Sequence, residues 1–117
     1  MNQVTIYHNP GCSKSRQTLK LLIEHGIEPN IVLYLEDTPN ADTLFSLIGK
    51  LGITARDLLR TGQSEYKDHG LSNTELSDKE IVQAMLATPI LIQRPIVECG
   101  DKAKIGRPPE QVLEILT

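Results

Sequence analysis

The chain has 117 residues, of which 39% are hydrophobic and 23% are charged, and its formal net charge is −3. These values are typical of a folded globular protein and exclude intrinsic disorder. The acidic balance argues against a nucleic-acid-binding protein that works through a broad basic face. Aromatic residues make up only 3%, so the core is expected to consist of Leu, Ile and Val.

The cellular location is predicted from signals for secretion and membrane insertion, which are not found in the sequence. Its first residues, MNQVTIYH, show no basic stretch followed by an apolar one, as a signal peptide would. No apolar run approaches the roughly 20 residues needed to cross a bilayer. The cysteines are Cys12 and Cys99, too few for a secreted disulfide framework. We therefore expect a cytoplasmic protein without a membrane or nucleic-acid partner.

The first third of the chain predicts a βαβ unit. Residues 4–7 and residues 31–34 are rich in β-formers and are expected to be strands. Between them, residues 13–25 carry Leu and Ile on one helical face, and Gly26 is a natural helix end. Two strands joined by a helix are expected to be parallel.

The middle of the chain is predicted to be helical. We expect helices at residues 38–51, 54–60 and 77–87. The last of these opens with a capping box in which Ser77 is the N-cap and Glu80 the third helical residue.

The last third predicts a β-hairpin followed by a helix. Strands are expected at residues 96–98 and 102–105, on either side of a glycine-containing turn, and the final helix should end near Leu116. The predicted fold class is therefore α/β, with a mixed four-stranded sheet flanked by helices and the hairpin antiparallel to a parallel first half.

The stretch HNPGCSKSR places Cys12 at the start of the first predicted helix. Unpaired backbone N–H groups and the helix dipole favour an anion there, and Lys14 and Arg16 add positive charge. No Asp or Glu occurs in residues 1–23. A free cysteine is about 3% thiolate at pH 7, and a pKa lower by about 2 units makes the thiolate the major form. The pattern favours a reactive thiolate, to which His8 contributes a hydrogen bond or a cation.

Other cysteine sites fit this stretch less well. A small buried cysteine would not need flanking bases, and a metal site would need more ligands than His8 and Cys12. A P-loop would require glycines where His8 and Ser13 stand. A tyrosine-phosphatase loop would require arginine where Thr18 stands.

Ser15 occupies the position three residues after Cys12, so a Cys-x-x-Cys disulfide is excluded here. An adduct on Cys12 must then be resolved by an outside thiol or by the distant Cys99. Because an ambient pool of glutathione can supply such a thiol, we expect the outside thiol to be the donor.

Arginines stand near several predicted element ends. Arg107 precedes the last helix, and together with the basic start of the first helix it fits a protein that binds an oxyanion. Arg94 precedes Pro95, which predicts extended backbone and permits a cis peptide bond. Arg60 lies near a helix C-terminus, where the helix dipole alone would explain it. Each would be an ordinary surface arginine if taken singly.

Four ordered motifs, HNPGC, LLRTG, RPI and GRPPEQVLEIL, resemble the glutaredoxin-coupled arsenate reductase family. The HNPGCSKSR spelling is most similar to its short bacterial members, and the resemblance runs from Val4 to Leu116. It implies a single thioredoxin-like domain over residues 1–117, with a helical insertion at about residues 36–90.

The resemblance also implies roles for the site residues. Cys12 would be the nucleophile, His8 would help hold it as a thiolate, and Ser15 would support the thiolate loop. Pro95 would be the cis-proline beside the cysteine. The residues that would ring the oxyanion are Arg60, Arg94 and Arg107. Arsenate would be the substrate, glutathione the co-substrate and glutaredoxin the partner, with no tightly bound cofactor and no metal.

Two other functions remain open from the sequence. A glutathione-dependent thiol reductase that acts on mixed disulfides or conjugates needs the same low-pKa Cys12 but has less use for three arginines. A redox-sensing regulatory module of the same fold typically carries a Cys-x-x-Cys switch, which Ser15 breaks.

Overall fold

A computed structural model describes residues 3–116 of the chain. The strands are β1 (Val4–Tyr7), β2 (Asn30–Val32), β3 (Ile96–Cys99) and β4 (Lys102–Ile105). The α-helices are α1 (Ser13–Glu24), α2 (Ala41–Leu51), α3 (Ser64–Asp68) and α4 (Asp78–Ala87). Short 3₁₀ helices span Arg56–Leu58, Pro89–Leu91 and Pro109–Ile115. No helix within residues 3–116 is long and apolar enough to cross a membrane.

The chain divides into two compact units. The first, here called the sheet unit, comprises Met1–Asp37 and Arg94–Thr117, and the second, the helical unit, comprises Thr38–Gln93. The helical unit occupies nearly the same residues as the insertion expected at about 36–90. The assignment of the whole chain to a single domain stays a prediction.

The sheet unit contains one four-stranded sheet in the order β2-β1-β3-β4. β1 and β2 are parallel, because α1 connects them as a crossover, and β3 pairs antiparallel with both β1 and β4. In the β1–β3 register Tyr7 lies opposite Ile96 and Val4 lies opposite Cys99. The predicted α/β class with a mixed four-stranded sheet is confirmed.

One face of the sheet packs against α1 and the last 3₁₀ helix. The buried cluster there consists of Val4, Ile6, Leu22, Val97, Val112 and Ile115. Val4 and Ile6 lie two residues apart on β1 and therefore point to the same face. Fully burying one such aliphatic side chain contributes roughly 1.5–3 kcal/mol, so this cluster fixes how α1 lies on the sheet.

Several element bounds differ from the predicted ones. The helix expected from residue 38 begins at Ala41, because the Asn40 side chain accepts a hydrogen bond from the Thr43 N–H at 2.9 Å and makes Asn40 the N-cap. The last helix is a 3₁₀ helix, and two prolines at its start remove backbone donors. The second strand starts at Asn30 and ends at Val32, earlier than expected.

The helical unit contains elements that the sequence patterns described only partly. The helix expected at residues 54–60 is reduced to the 3₁₀ turn Arg56–Leu58, where Asp57 and Thr54 bond each other's backbone N–H groups through their side chains. The short helix α3 was not predicted. The capping box at the start of α4 is confirmed.

Candidate active site

Cys12 stands at the junction between the loop after β1 and the first turn of α1. It is the N-cap residue of α1, with extended backbone (φ −104°, ψ 124°), and its exposed fraction is 9%. Its N–H donates to the Asn9 carbonyl at 3.0 Å, and its carbonyl accepts the first helical hydrogen bond from the Arg16 N–H at 3.0 Å. The sulfur therefore lies where the free N–H groups of the helix begin.

A buried pair of side chains, His8 and Ser15, fixes the base of this loop. His8 Nδ1 and Ser15 Oγ are hydrogen-bonded at 2.7 Å, and Ser15 is fully buried. The backbone N–H of Asn9 donates to the same Ser15 Oγ at 3.0 Å. A neutral His8 ring can accept the Ser15 hydroxyl proton at Nδ1, so all three groups are satisfied together.

Two further hydrogen bonds shape the tip of the loop. The Asn9 side-chain oxygen accepts from the Gly11 N–H at 3.0 Å, and Arg16 Nη1 donates to the Pro10 carbonyl at 2.7 Å. Asn9 and Arg16 were not predicted as site residues. The Asn-Pro-Gly sequence carries the signal for the first bond, since Asn favours turns that it closes with its own side chain.

The surroundings of His8 favour its neutral form. Burial and, secondarily, the positive charge of Arg16 lower the pKa of His8 from its ordinary value. The ring is hydrogen-bonded to Ser15. A direct contribution of His8 to the thiolate, as a hydrogen bond or a cation, stays a prediction.

The surroundings of Cys12 favour its ionised form. Burial raises the pKa of the thiol, but backbone hydrogen bonds from Ser15 and Lys14, together with the charge and a side-chain hydrogen bond of Arg94, outweigh burial. The net result is a Cys12 pKa below its ordinary value. The thiolate, which is the reactive form of cysteine, is therefore favoured more than in an ordinary cysteine.

Arg94 and Arg107 meet beside the sulfur. Arg107 Nη2 donates to Cys12 Sγ at 3.8 Å, and Arg107 Nε donates to the Arg94 carbonyl at 2.9 Å. The Arg94–Pro95 and Arg107–Pro108 peptide bonds are both cis; the second was not predicted. The sheet unit thus brings together a thiol of lowered pKa and two guanidinium groups, which suits nucleophilic attack on an oxyanion.

Arg60 belongs to the helical unit. Its N–H donates to the Leu91 carbonyl at 2.8 Å, and its Nη1 donates to the Ile90 carbonyl at 3.2 Å. These bonds join it to the last 3₁₀ helix of that unit. A role for Arg60 in binding an oxyanion stays a prediction.

Cys99 lies at the other end of the sheet from the loop that carries Cys12. It pairs with Val4 at the start of β1, whereas that loop follows Tyr7, about 10 Å further along the strand at roughly 3.3 Å per residue. Both cysteines are free thiols. Within residues 3–116 no cluster of three or more His, Cys, Asp or Glu side chains could hold a metal ion.

Comparisons with known proteins agree over nearly the whole chain. The ArsC family profile matches residues 7–115. The chain is 54% identical over 114 residues to an arsenate reductase of Haemophilus influenzae, covering 97% of this chain and 98% of that relative. It is 46% identical over 116 residues to an arsenate reductase of Escherichia coli, covering 99% of this chain and 82% of that relative. The solved structure of an arsenate reductase from Vibrio cholerae superposes with a TM-score of 0.96 at 48% identity, covering 98% of each chain.

Proposed function

As its sequence motifs predict, the chain belongs to the ArsC family, and we propose that it is an oxidoreductase that reduces arsenate to arsenite through the Cys12 thiolate. The observation that carries this proposal is the convergence of Arg94 and Arg107 on a thiol whose pKa is lowered. An arsenate reductase needs both features at one place, because the nucleophile and the substrate are both anions.

In the first step the Cys12 thiolate attacks the pentavalent arsenic, a sulfur–arsenic bond forms, and one arsenate oxygen leaves as water after protonation. Arg94 and Arg107 offset the repulsion between the two anions and stabilise the charge on the arsenate oxygens during attack. The amides of Lys14 and Ser15 favour the ionised sulfur that makes the attack. His8 and Ser15 hold the loop in place.

In the second step an outside thiol completes the reduction. Glutathione attacks the Cys12 sulfur, the sulfur–arsenic bond breaks, and its electron pair stays on arsenic, which leaves as trivalent arsenite. The two sulfurs are oxidised together to a mixed disulfide. Glutaredoxin, with further glutathione, then reduces this disulfide and restores Cys12.

Glutathione and glutaredoxin are proposed as donors because the site offers no second sulfur. Ser15 occupies the position where a Cys-x-x-Cys site would have its resolving cysteine, and Cys99 lies at the far end of the sheet. A cytoplasmic location is proposed with them, since that compartment holds the reduced glutathione pool.

The test is an NADPH-coupled assay with glutathione, glutaredoxin, glutathione reductase and arsenate. A parallel reaction replaces arsenate with a mixed disulfide between glutathione and a small thiol. Arsenate-dependent NADPH oxidation by the wild-type protein is the expected result. Turnover of the mixed disulfide alone would reject arsenate reduction and assign the chain to the thiol reductases.

A further inference from the structure

Gly106, the residue between β4 and Arg107, is packed where no side chain fits. A Cβ atom added to Gly106 would overlap Thr18 Oγ1, would lie 2.9 Å from Pro95 Cγ and would lie 3.1 Å from Thr18 Cγ2. Its φ lies outside the left-handed region. Glycine is therefore required here by space and not by backbone conformation.

Neither neighbour of Gly106 can move away freely. Thr18 is fully buried in α1, and its hydroxyl donates to the Lys14 carbonyl at 2.8 Å. Pro95 is tied directly to Gly106, whose N–H donates to the Pro95 carbonyl at 3.0 Å. An added methyl group would have to push the segment that carries Gly106 away from α1, since interiors are packed too closely to absorb it.

The segments that meet at Gly106 are those that carry the two arginines of the site. Arg107 follows Gly106 directly, and Arg94 precedes Pro95. The hydrogen bond from Arg107 Nε to the Arg94 carbonyl, at 2.9 Å, joins the two segments a second time. A displacement at Gly106 is therefore transmitted to both guanidinium groups.

We infer that Gly106 is a positioning residue for the Cys12 thiolate. Its missing side chain lets the Pro95 and Arg107 segments close onto α1 at Thr18, and this closeness sets how far both guanidinium groups lie from the sulfur. The inference deepens the proposed function, because it concerns the same thiolate.

The geometry explains why a small displacement matters. Arg107 Nη2 lies 3.8 Å from Cys12 Sγ, already at the long end of a hydrogen bond to sulfur. A shift of the segment away from α1 would break this contact and weaken the attraction between the charges, which falls with distance. The thiolate would then lose stabilisation while the fold is retained.

The experiment measures the rate of Cys12 alkylation by iodoacetamide as a function of pH, in a Cys99→Ser background that leaves one thiol. In Gly106→Ala we expect the apparent Cys12 pKa to rise by about 0.5–1 unit, because the guanidinium charges move away. Alkylation at a pH below the wild-type midpoint should slow by about threefold to tenfold, since the thiolate fraction falls. A wild-type profile in a folded Gly106→Ala protein would overturn the inference.

A second variant removes the crowding at residue 106 by shortening its neighbour Thr18. Thr18→Ala removes the two Thr18 atoms that the added methyl group would meet. The contact with Pro95 Cγ at 2.9 Å remains in the Thr18→Ala/Gly106→Ala protein, so we expect it to recover part of the wild-type pKa, and to fold even if Gly106→Ala alone does not. A double variant that stays as perturbed as Gly106→Ala, or stays unfolded, would contradict the role assigned to Thr18 crowding.

Gly49 supplies the matched control. It lies inside α2, no atom lies within 4 Å of an added Cβ, and its φ is not left-handed. Gly49→Ala should leave the Cys12 profile unchanged; a pKa shift equal to that of Gly106→Ala would reject a specific role for Gly106. Alkylation needs no arsenate, so a protein that shows the expected shifts but does not reduce arsenate would reject the proposed function and leave this inference standing.

Discussion

Helices α1 and α4 begin in opposite ways. At α4, Ser77 Oγ accepts from the Glu80 N–H at 3.1 Å, and Glu80 Oε1 accepts from the Ser77 N–H at 3.1 Å. At α1 the N-cap residue is Cys12, whose side chain carries a sulfur in place of a capping oxygen, and the first turn contains no acid. Lys14 and Arg16 stand there instead.

The difference shows what each helix start is used for. A capping side chain contributes about 0.5–2 kcal/mol to stability, and α4 has the full reciprocal pair. α1 forgoes an oxygen cap, and its amide groups at Lys14 and Ser15 instead lower the pKa of the Cys12 thiol. The same backbone groups that stabilise α4 therefore serve chemistry at α1.

The largest effect is expected from removal of the sulfur itself. Cys12→Ser should reduce arsenate turnover in the coupled assay to the background rate, because a serine hydroxyl does not ionise near neutral pH and cannot form the mixed disulfide. Cys99→Ser is the matched control and should retain wild-type turnover. Arsenate reduction by a Cys12→Ser protein would reject Cys12 as the nucleophile.

A smaller loss is expected when one guanidinium group is removed. Arg107→Leu should lower kcat/KM for arsenate by about a hundredfold, the usual cost of losing one donor that stabilises a developing anion. The kcat/KM of Arg107→Lys should lie between those of the wild type and Arg107→Leu, because lysine keeps the charge but cannot reach both Cys12 and the Arg94 carbonyl. Unchanged arsenate kinetics in Arg107→Leu would exclude Arg107 from the site.

The hydrogen bonds at the base of the loop are expected to act mainly on stability. Ser15→Ala leaves His8 Nδ1 and the Asn9 N–H without their buried partner, which should lower the free energy of unfolding in urea by about 1–3 kcal/mol. Ser13→Ala, on the exposed side of α1, is the control and should change the free energy of unfolding by no more than about 0.5 kcal/mol. Equal stabilities for the two variants would contradict the role given to Ser15.

The smallest effect is expected at the other helix start. Ser77→Ala should cost about 1 kcal/mol of unfolding free energy through loss of the cap, and Ser77→Asp should cost less. Neither variant should alter the pH profile of Cys12 alkylation. A changed profile would show that α4 capping affects the thiolate and would break the contrast between the two helices.

The sequence predicted the features that depend on neighbouring residues. The first strand, the capping box at Ser77 and the position of Cys12 at a helix start all follow from residues within one or two turns of each other. The contact between Arg107 and Cys12 joins residues 95 positions apart, and no local pattern encodes it. The basic residues at the starts of the first and last helices, together with the motif resemblance, suggested that these residues act together.

Other features were not predicted, because they depend on tertiary packing or on competition between local hydrogen bonds. The start of α2 at Ala41 depends on a hydrogen bond that the Asn40 side chain accepts from the Thr43 N–H, which competes with a start at the proline. The requirement for glycine at position 106 arises from the close approach of Thr18 and Pro95, which only the packed sheet unit creates. The hydrogen bond between His8 and Ser15 likewise depends on how the loop folds back.

Ionisation of Cys12 also predicts how pH affects stability. The pKa of the thiol is lower in the folded protein than its ordinary value, so the unfolded chain holds the proton up to a higher pH. The resulting stabilisation is fully present above the pKa of the unfolded thiol and is lost as the pH falls through the folded pKa.

The stabilised thiolate at the start of α1 is tested most directly by the pKa of Cys12 in the Cys99→Ser protein, measured from the ultraviolet absorbance of the thiolate as a function of pH. We expect a single titration with a midpoint clearly below about 8.5, the ordinary value for cysteine, because the α1 amides and Arg94 stabilise the anion. Arg94→Leu should move this midpoint upward. A midpoint at or above the ordinary value in the Cys99→Ser protein would contradict the claim that α1 begins with a stabilised thiolate.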